Sequence, residues 1–367
     1  MKNMKVLFVF NHPAPYKVQT FNEIAKQIDI HVVFERKRAR NRNTSFYADN
    51  VYNFPHTFLK RGGFGDEQSN TKELLDFVKK HKDEYDIIVM NGYSTISEMR
   101  TIRYLNKNKI PFVLQINGGV VKKDKGFAYK IKKYFISSAW KYLSTGTEAD
   151  KYLLHYGARQ EDIYFYPYSN LRKSEILTTL PTEEERNLIR DKHFFPEGKV
   201  LISASQFIKR KNNFLLFDLA KGQDYSLILY GDGPEKQKYV KYLLKEDIRN
   251  VNIMPYLPKT KLLEVLKCAD GFISLSKEDI YGQTTIEALA CGLPVVSSNT
   301  VVSSRQIIKD GYNGYLVDLN NKEEMLNKID SVFNINKGNC IKSVETLSIE
   351  DSADAIVKHL RSFIKWE

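Results

Sequence analysis

The chain has 367 residues, 42 % hydrophobic and 27 % charged, enough apolar content for buried cores and a length that suggests two domains. These figures exclude a disordered or fibrous chain, and no run of about 18 apolar residues predicts a spanning helix. The net charge of +12 is unevenly held: residues 1–172 carry 29 Lys and Arg against 17 Asp and Glu, and the remainder carries 27 of each. A basic first half beside a neutral second half suggests that the two meet different partners. The cysteines Cys268, Cys291 and Cys340 lack metal-ligand spacing, and free thiols in a reducing cytoplasm are the simplest account.

Residues 5–11 read as a buried strand, too strand-like for a signal peptide, followed by an amphipathic helix over 18–27 and a strand over 28–34. Further strands are predicted at 86–91, 110–116, 140–144 and 163–166, with helices over 71–82, 97–106 and 148–156. Such alternation predicts a parallel sheet covered by helices, with ligands bound beyond the carboxyl ends of the strands. A polar stretch, 171–197, reads as a linker plus one helix. The pattern then restarts, with strands at 200–203, 225–230, 251–254, 271–275, 295–297 and 315–317. Helices are predicted between them at 213–220, 235–246, 259–268, 284–290 and 304–309. The expected fold class is α/β, two doubly wound, Rossmann-like domains facing a cleft. Residues 349–366 end the chain as an amphipathic helix, with Ala353, Ile356, Val357, Leu360, Phe363 and Ile364 at helical spacing.

Residues 276–298 are the most informative stretch. A strand, a tight turn at Gly282 and a helix start place free backbone N–H groups at one point, where a diphosphate would sit. Asp279 and Glu287 stand at opposite ends of that turn, and carboxylates accept hydrogen bonds from sugar hydroxyls. This acid, seven residues, Glu287, and then Ala288 to Val295 with Gly292 and Pro294, resemble the signature of the family 4 retaining glycosyltransferases, of GT-B fold. Asp279 stands where that family usually has Glu. The resemblance implies that Asp279 contacts the transferred sugar and that Glu287 holds the ribose hydroxyls. It also implies that Tyr281, Gly282, Gln283 and Thr284 lie near sugar and phosphate. A buried helix N-terminus whose dipole favours acids would account for the same residues without a ligand.

The match extends over residues 203–319 in order. Lys211 matches a Lys that grips the donor diphosphate, with Arg210 beside it, whereas Gln206 stands where Arg is usual and Asn212 where Gly is usual. Gly231, Asp232, Gly233 and Pro234 resemble a strand-to-loop turn near the nucleotide, for which a mainly structural role is expected. The segment holding Tyr256 resembles the one whose backbone meets the base. Gly311 to Val317 resembles a structural turn.

In the first half the resemblance is weaker. Pro15 and Tyr16 follow the first strand and are candidates for shaping the acceptor site, with a rigid turn as the equal alternative. Where many members have a His after the fourth strand, this chain has Asn117, Gly118 and Gly119, so Asn117 or the Gly118 and Gly119 backbone would serve the reacting sugar. His12 and His155 are poor substitutes by position. Residues 120–140 hold Lys122, Lys123, Lys125, Lys130, Lys132 and Lys133 among Phe127, Tyr129, Tyr134, Phe135 and Trp140. A basic, aromatic-bearing helix reads as a membrane-surface contact; a solvated basic face over a packed aromatic stripe reads the same way, and an anionic lipid-diphosphate acceptor would justify the same charges.

The resemblance thus implies an acceptor domain over 1–172, a nucleotide-sugar donor domain over 173–348, and a last helix, 349–367, returning to the first domain. It implies a cytoplasmic hexosyltransferase, peripheral on the inner face of the membrane. The enzyme would carry a hexose or N-acetylhexosamine from a nucleotide sugar, UDP-linked by preference, to a saccharide or lipid-linked glycan. No metal or other cofactor is expected, and no nucleic acid. Two other readings stay open: a GT-B nucleotide-sugar epimerase or hydrolase, and a nucleic-acid-binding or modifying protein using the basic half.

Overall fold

The structure is a computed structural model that describes residues 4–39, 47, 50–59, 71–119, 121, 124–279 and 281–364. They fall into two compact units, one of Met1–Asn170 with Leu347–Glu367 and one of Leu171–Thr346.

The first unit runs β1 (Lys5–Phe10), α1 (Pro15–Ala25), β2 (Asp29–Phe34), β3 (His56–Phe58), α2 (Glu73–His81), β4 (Ile87–Met90), α3 (Ile96–Lys107), β5 (Val113–Ile116), α4 (Gly126–Ser137), β6 (Lys141–Ser144), α5 (Thr147–His155) and β7 (Ile163–Phe165). Its strands lie in the order β3-β2-β1-β4-β5-β6-β7, each pair parallel. The central strands β4 and β5 are buried along their whole length. A parallel sheet is covered on both faces, so these strands read as continuous apolar runs instead of alternating. Pro15 opens α1 at a position where its missing N–H costs nothing. Thr95 caps α3 in a reciprocal box with Glu98.

The second unit holds α6 (Glu183–Lys192), β8 (Lys199–Ala204), α7 (Asn213–Ala220), β9 (Tyr225–Tyr230), α8 (Lys236–Lys245), β10 (Val251–Met254), α9 (Lys259–Leu266), β11 (Gly271–Ser274), α10 (Gln283–Ala290), β12 (Val295–Ser298), α11 (Val302–Ile307), β13 (Gly314–Val317), α12 (Lys322–Val332) and α13 (Lys337–Lys342). Its sheet is parallel in the order β10-β9-β8-β11-β12-β13.

The last helix, α14 (Ile349–Phe363), belongs to the first unit. It packs against α1, with Gln27 donating to Asp354 at 2.7 Å and Arg361 donating to the Gln27 carbonyl at 2.9 Å. Its apolar stripe, Ala353, Ile356, Val357 and Leu360, is buried.

Several boundaries differ from the sequence reading. The first helix begins at Pro15, three residues before the predicted start, because the proline fits its first turn. The strand expected from residue 110 begins at Val113, after Pro111, which cannot donate to a ladder. The short edge strand β3 and the helices α12 and α13 were not anticipated.

Candidate functional site

In each sheet the chain order reverses at one strand, β1 in the first and β8 in the second. Loops leaving neighbouring strands there diverge, and the crevice they open beyond the carboxyl ends is where doubly wound sheets bind ligands. In the second unit the loops in question follow β8 and β11. They are stitched together: Lys277 N–H donates to the Arg210 carbonyl at 2.8 Å, and Arg210 Nη1 donates to the Glu278 carbonyl at 3.0 Å. Lys211 Nζ makes a close charged hydrogen bond to Asp279 Oδ2, and Arg210 stands 3.9 Å from Oδ1. Burial works against the charge on Asp279, yet Lys211, Arg210 and the Gly282 N–H together hold its carboxyl below the usual range.

Local conformation explains one departure from the expected pattern, at Asn212, and the need for Gly282. Asn212 has φ +60°, a left-handed backbone that glycine adopts freely and asparagine tolerates, so Asn can stand in the usual Gly place. Gly282, at φ +49°, caps α10; a Cβ there would lie 2.7 Å from Val301. Glu287 follows on the same helix and is buried at 4 % exposure. Thr284 is half-buried and Tyr281 buried. The Gln283 amide is buried at both polar atoms, with no hydrogen-bond partner among the described residues.

The Gly231 to Gly233 turn is built around close backbone approach. A Cβ at Gly231 would sit 2.0 Å from the Ser205 carbonyl, and one at Gly233 2.6 Å from the Phe207 carbonyl. The turn thereby fixes the β8 loop that carries Lys211. Gln206, on that loop, and Tyr256, after β10, are exposed. A pocket of about 430 Å³ lined by Asn212, Lys277, Asn299, Thr300 and Asp318 adjoins the Lys211 and Asp279 positions in sequence. Another hollow, about 630 Å³, is lined by Arg186, Arg190 and Asp270, with Asp270 leading into β11 at the opposite end of the strand from the Asp279 loop. There Asp270 accepts from both arginines, which ties α6 to the sheet and gives that hollow a structural explanation.

In the first unit Asn91 and Asn117 follow β4 and β5. Asn117 Nδ2 donates to Asn91 Oδ1 at 2.9 Å, while its Oδ1 accepts from Lys17 Nζ at 3.1 Å and Tyr166 OH at 2.6 Å. Sequence reasoning singled out Asn117 but missed Lys17, which is 5 % exposed and pushed down to about 7 by burial. Pro15 and Tyr16 open the same helix, and Tyr16 meets Tyr168 edge to face at 5.9 Å. Gly118 lies between Asn117 and Gly119, where a Cβ would lie 2.5 Å from the Tyr152 ring. Close packing accounts for that second glycine.

Also missed was a buried acid pair. Glu35, after β2, accepts from Thr95 Oγ1 at 2.8 Å; Glu98 accepts from the Thr95 N–H at 3.0 Å. Burial and the neighbouring Glu98 push Glu35 up to about 8, and burial raises Glu98 as well. Both residues sit at 1 % exposure or less, so no acid faces solvent from this pair.

The basic segment divides. Lys122 and Lys123 lie outside the described residues, and Lys132 is tied to Asp124 at 2.7 Å and Tyr156 at 3.2 Å. Lys125, Lys130 and Lys133 are exposed beside Phe127 and Tyr134, whereas Tyr129 and Phe135 pack on the core. Among the described residues no helix is long and apolar enough to cross a membrane.

Residues 185–344 match the family described as glycosyl transferases group 1, nearly the whole of the second unit. The second unit is thus similar to a group 1 glycosyl transferase domain. Over 272 residues the chain is 26 % identical to the poly(ribitol-phosphate) alpha-N-acetylglucosaminyltransferase of Staphylococcus aureus, covering 71 % of this chain and 50 % of that protein. Over 128 residues it is 30 % identical to the N-acetyl-alpha-D-glucosaminyl L-malate synthase of Bacillus anthracis, covering 33 % of this chain and 32 % of that one. The chain thus spans between a third and a half of the length of these curated relatives. A crystal structure of Anabaena HepE in complex with UDP superposes with a TM-score of 0.74 at 16 % identity, covering 98 % of this chain and 100 % of that one. The fold that the chain shares with this structure is GT-B.

Proposed function

We propose that the protein is a retaining glycosyltransferase of the family 4 type. It would move a hexose or N-acetylhexosamine from a UDP-sugar to a cell-surface saccharide or lipid-linked glycan. The observation that carries this reading is the Lys211–Asp279–Gly282 cluster at the head of α10, at the switch point of the second sheet. A diphosphate entering there competes with Asp279 for Lys211, and the released carboxylate is then available to sugar hydroxyls. Lys211, Arg210 and the amides of Gly282, Gln283 and Thr284 stabilise charge on the departing diphosphate. Their positive charge does the work for which other transferases use a metal ion, so donor binding should survive chelation. Glu287 holds the ribose. Gln206, Gly231, Tyr256 and Tyr281 complete the donor side.

Pro15, Tyr16 and Asn117 belong to the acceptor side. The strand ends there present amides, Asn91 and Asn117, which suits front-face displacement guided by the leaving phosphate over a covalent carboxylate intermediate. The UDP seen in HepE and the N-acetylglucosaminyl names of two relatives support the donor class. The exposed lysines and aromatics of α4 would bring the protein to the anionic inner face of a membrane. No observation favours the epimerase, hydrolase or nucleic-acid readings.

Calorimetry on two variants tests the assignment. Glu287→Ala should lose UDP binding by at least tenfold, and unchanged affinity would remove its ribose role. Asp279→Ala should keep UDP within a few-fold but lose sugar transfer by about 100-fold or more; an active variant contradicts its role.

A further inference from the structure

Lys17 is a buried amine with no carboxylate partner among the described residues. Its Nζ has three donors when protonated, and one hydrogen bond accounts for it, to Asn117 Oδ1 at 3.1 Å. Four rings surround it: Tyr168 at 4.3 Å, Phe10 at 5.4 Å, Tyr166 at 5.9 Å and Tyr16 at 6.0 Å to the centroids. The titratable groups among these contacts are the three tyrosines; no carboxylate pairs with Lys17 among the described residues. Buried charges are ordinarily paired, because desolvation costs several kcal/mol. Aromatic faces and one neutral carbonyl offset only part of that cost. A leucine or methionine would fill the same space without the penalty, so packing alone does not explain an amine here.

Its location supplies the explanation. The amine lies under the switch point of the first sheet, behind Asn117 and Asn91, both half-buried and therefore reaching the surface. Asn117 is held with its carbonyl inward, on Lys17 and Tyr166, and its N–H₂ toward Asn91. One N–H of Asn117 is thus held by Asn91, and the Lys17 amine lies directly behind the Asn117 carbonyl.

We propose that this edge of the first unit is an oxyanion subsite, in which Lys17 and the Asn117 amide receive a phosphate or carboxylate carried by the acceptor. The proposal rests on the reading of the first unit as the acceptor side. An anion arriving here supplies a counter-ion that Lys17 lacks among the described residues, and Lys17 takes up a proton as it binds. Acceptors without such a group leave the amine uncompensated and are discriminated against.

The test uses the full chain with ¹³C-labelled lysine ε-carbons, the Lys17 signal being assigned by its loss in Lys17→Arg. The Lys17 signal is titrated with pH in chloride, in inorganic phosphate and in acetate at equal ionic strength. The proposal expects proton affinity at Lys17 to rise tenfold or more in one of the two anions. Which of them does so identifies the group. Three superimposable titrations overturn it, and because the measurement is made on the unaltered chain, misfolding of a variant cannot blur the result. UDP binding is measured on the same sample. UDP binding without an anion effect removes this inference alone. An anion effect without UDP binding keeps the subsite and removes the glycosyltransferase reading on which its acceptor role rests.

Discussion

Two buried groups in the first unit, Lys17 and Glu35, set opposite pH dependences through the same cause. Burial disfavours charge, so it lowers the lysine from 10.5 to about 7 and raises the acid from 4.5 to about 8. For Glu35 the folded chain holds a proton that the unfolded chain releases. Its share of stability is therefore fullest below 4.5 and is lost as pH rises through about 8. For Lys17 the unfolded chain holds the extra proton, so stability falls as pH drops from 10.5 toward 7. Glu35→Gln keeps an acceptor for Thr95 and removes the ionisation. The variant should match the parent near pH 5 and exceed it at pH 8 by roughly 2–4 kcal/mol in denaturant melts; a pH-independent difference would refute the buried-acid account. Residue-level legibility followed distance along the chain. Asp279 and Glu287 were readable because their spacing is local. Lys17 was not, because its hydrogen-bond partner lies 100 residues away and one lysine among many carries no local mark. Glu98 is likewise hidden inside an ordinary-looking helix cap, and Glu35, its partner across the fold, lies 60 residues from Thr95.

Among the elements, the β8 loop depends on the glycine turn after β9. Gly231→Ala would drive a methyl into the Ser205 carbonyl and the Phe207 ring. A loss of about 3 kcal/mol is expected, together with weakened nucleotide binding, because the same loop carries Lys211. Wild-type stability in that variant would mean that the turn can shift and does not hold the loop. The strongly apolar strands were legible because parallel, doubly covered strands leave continuous runs of Val, Ile, Leu and Phe. The strand β3 escaped notice because three residues on an edge show no period. α13, at six residues, is too short to show a helical repeat, and α12 presents a mostly polar face with few buried positions. Asn212 shows the limit of reading by analogy: it departs from the usual Gly, yet the backbone angle is one that Asn accepts.

For the whole molecule, the uneven charge has a consequence for location. Among the described residues, the cations of α4 and its N-cap that are open to a surface are Lys125, Lys130 and Lys133, since Lys132 is engaged with Asp124. Replacing those three by Glu should release the protein from anionic vesicles. Each lysine is worth about 1 kcal/mol near such a surface, and the effect should fade with added salt. Equal vesicle binding by the variant would leave α4 as a solvated basic face. The central claim, a donor site in the second unit, is met most directly by a thermal-shift panel. Uridine and guanosine diphosphates and their sugars would be offered to the full chain with a chelator present. Ligands that bind only the native state raise its melting temperature. The account predicts a clear shift with UDP and its sugars and none with the guanosine series. No shift with any nucleotide would contradict it.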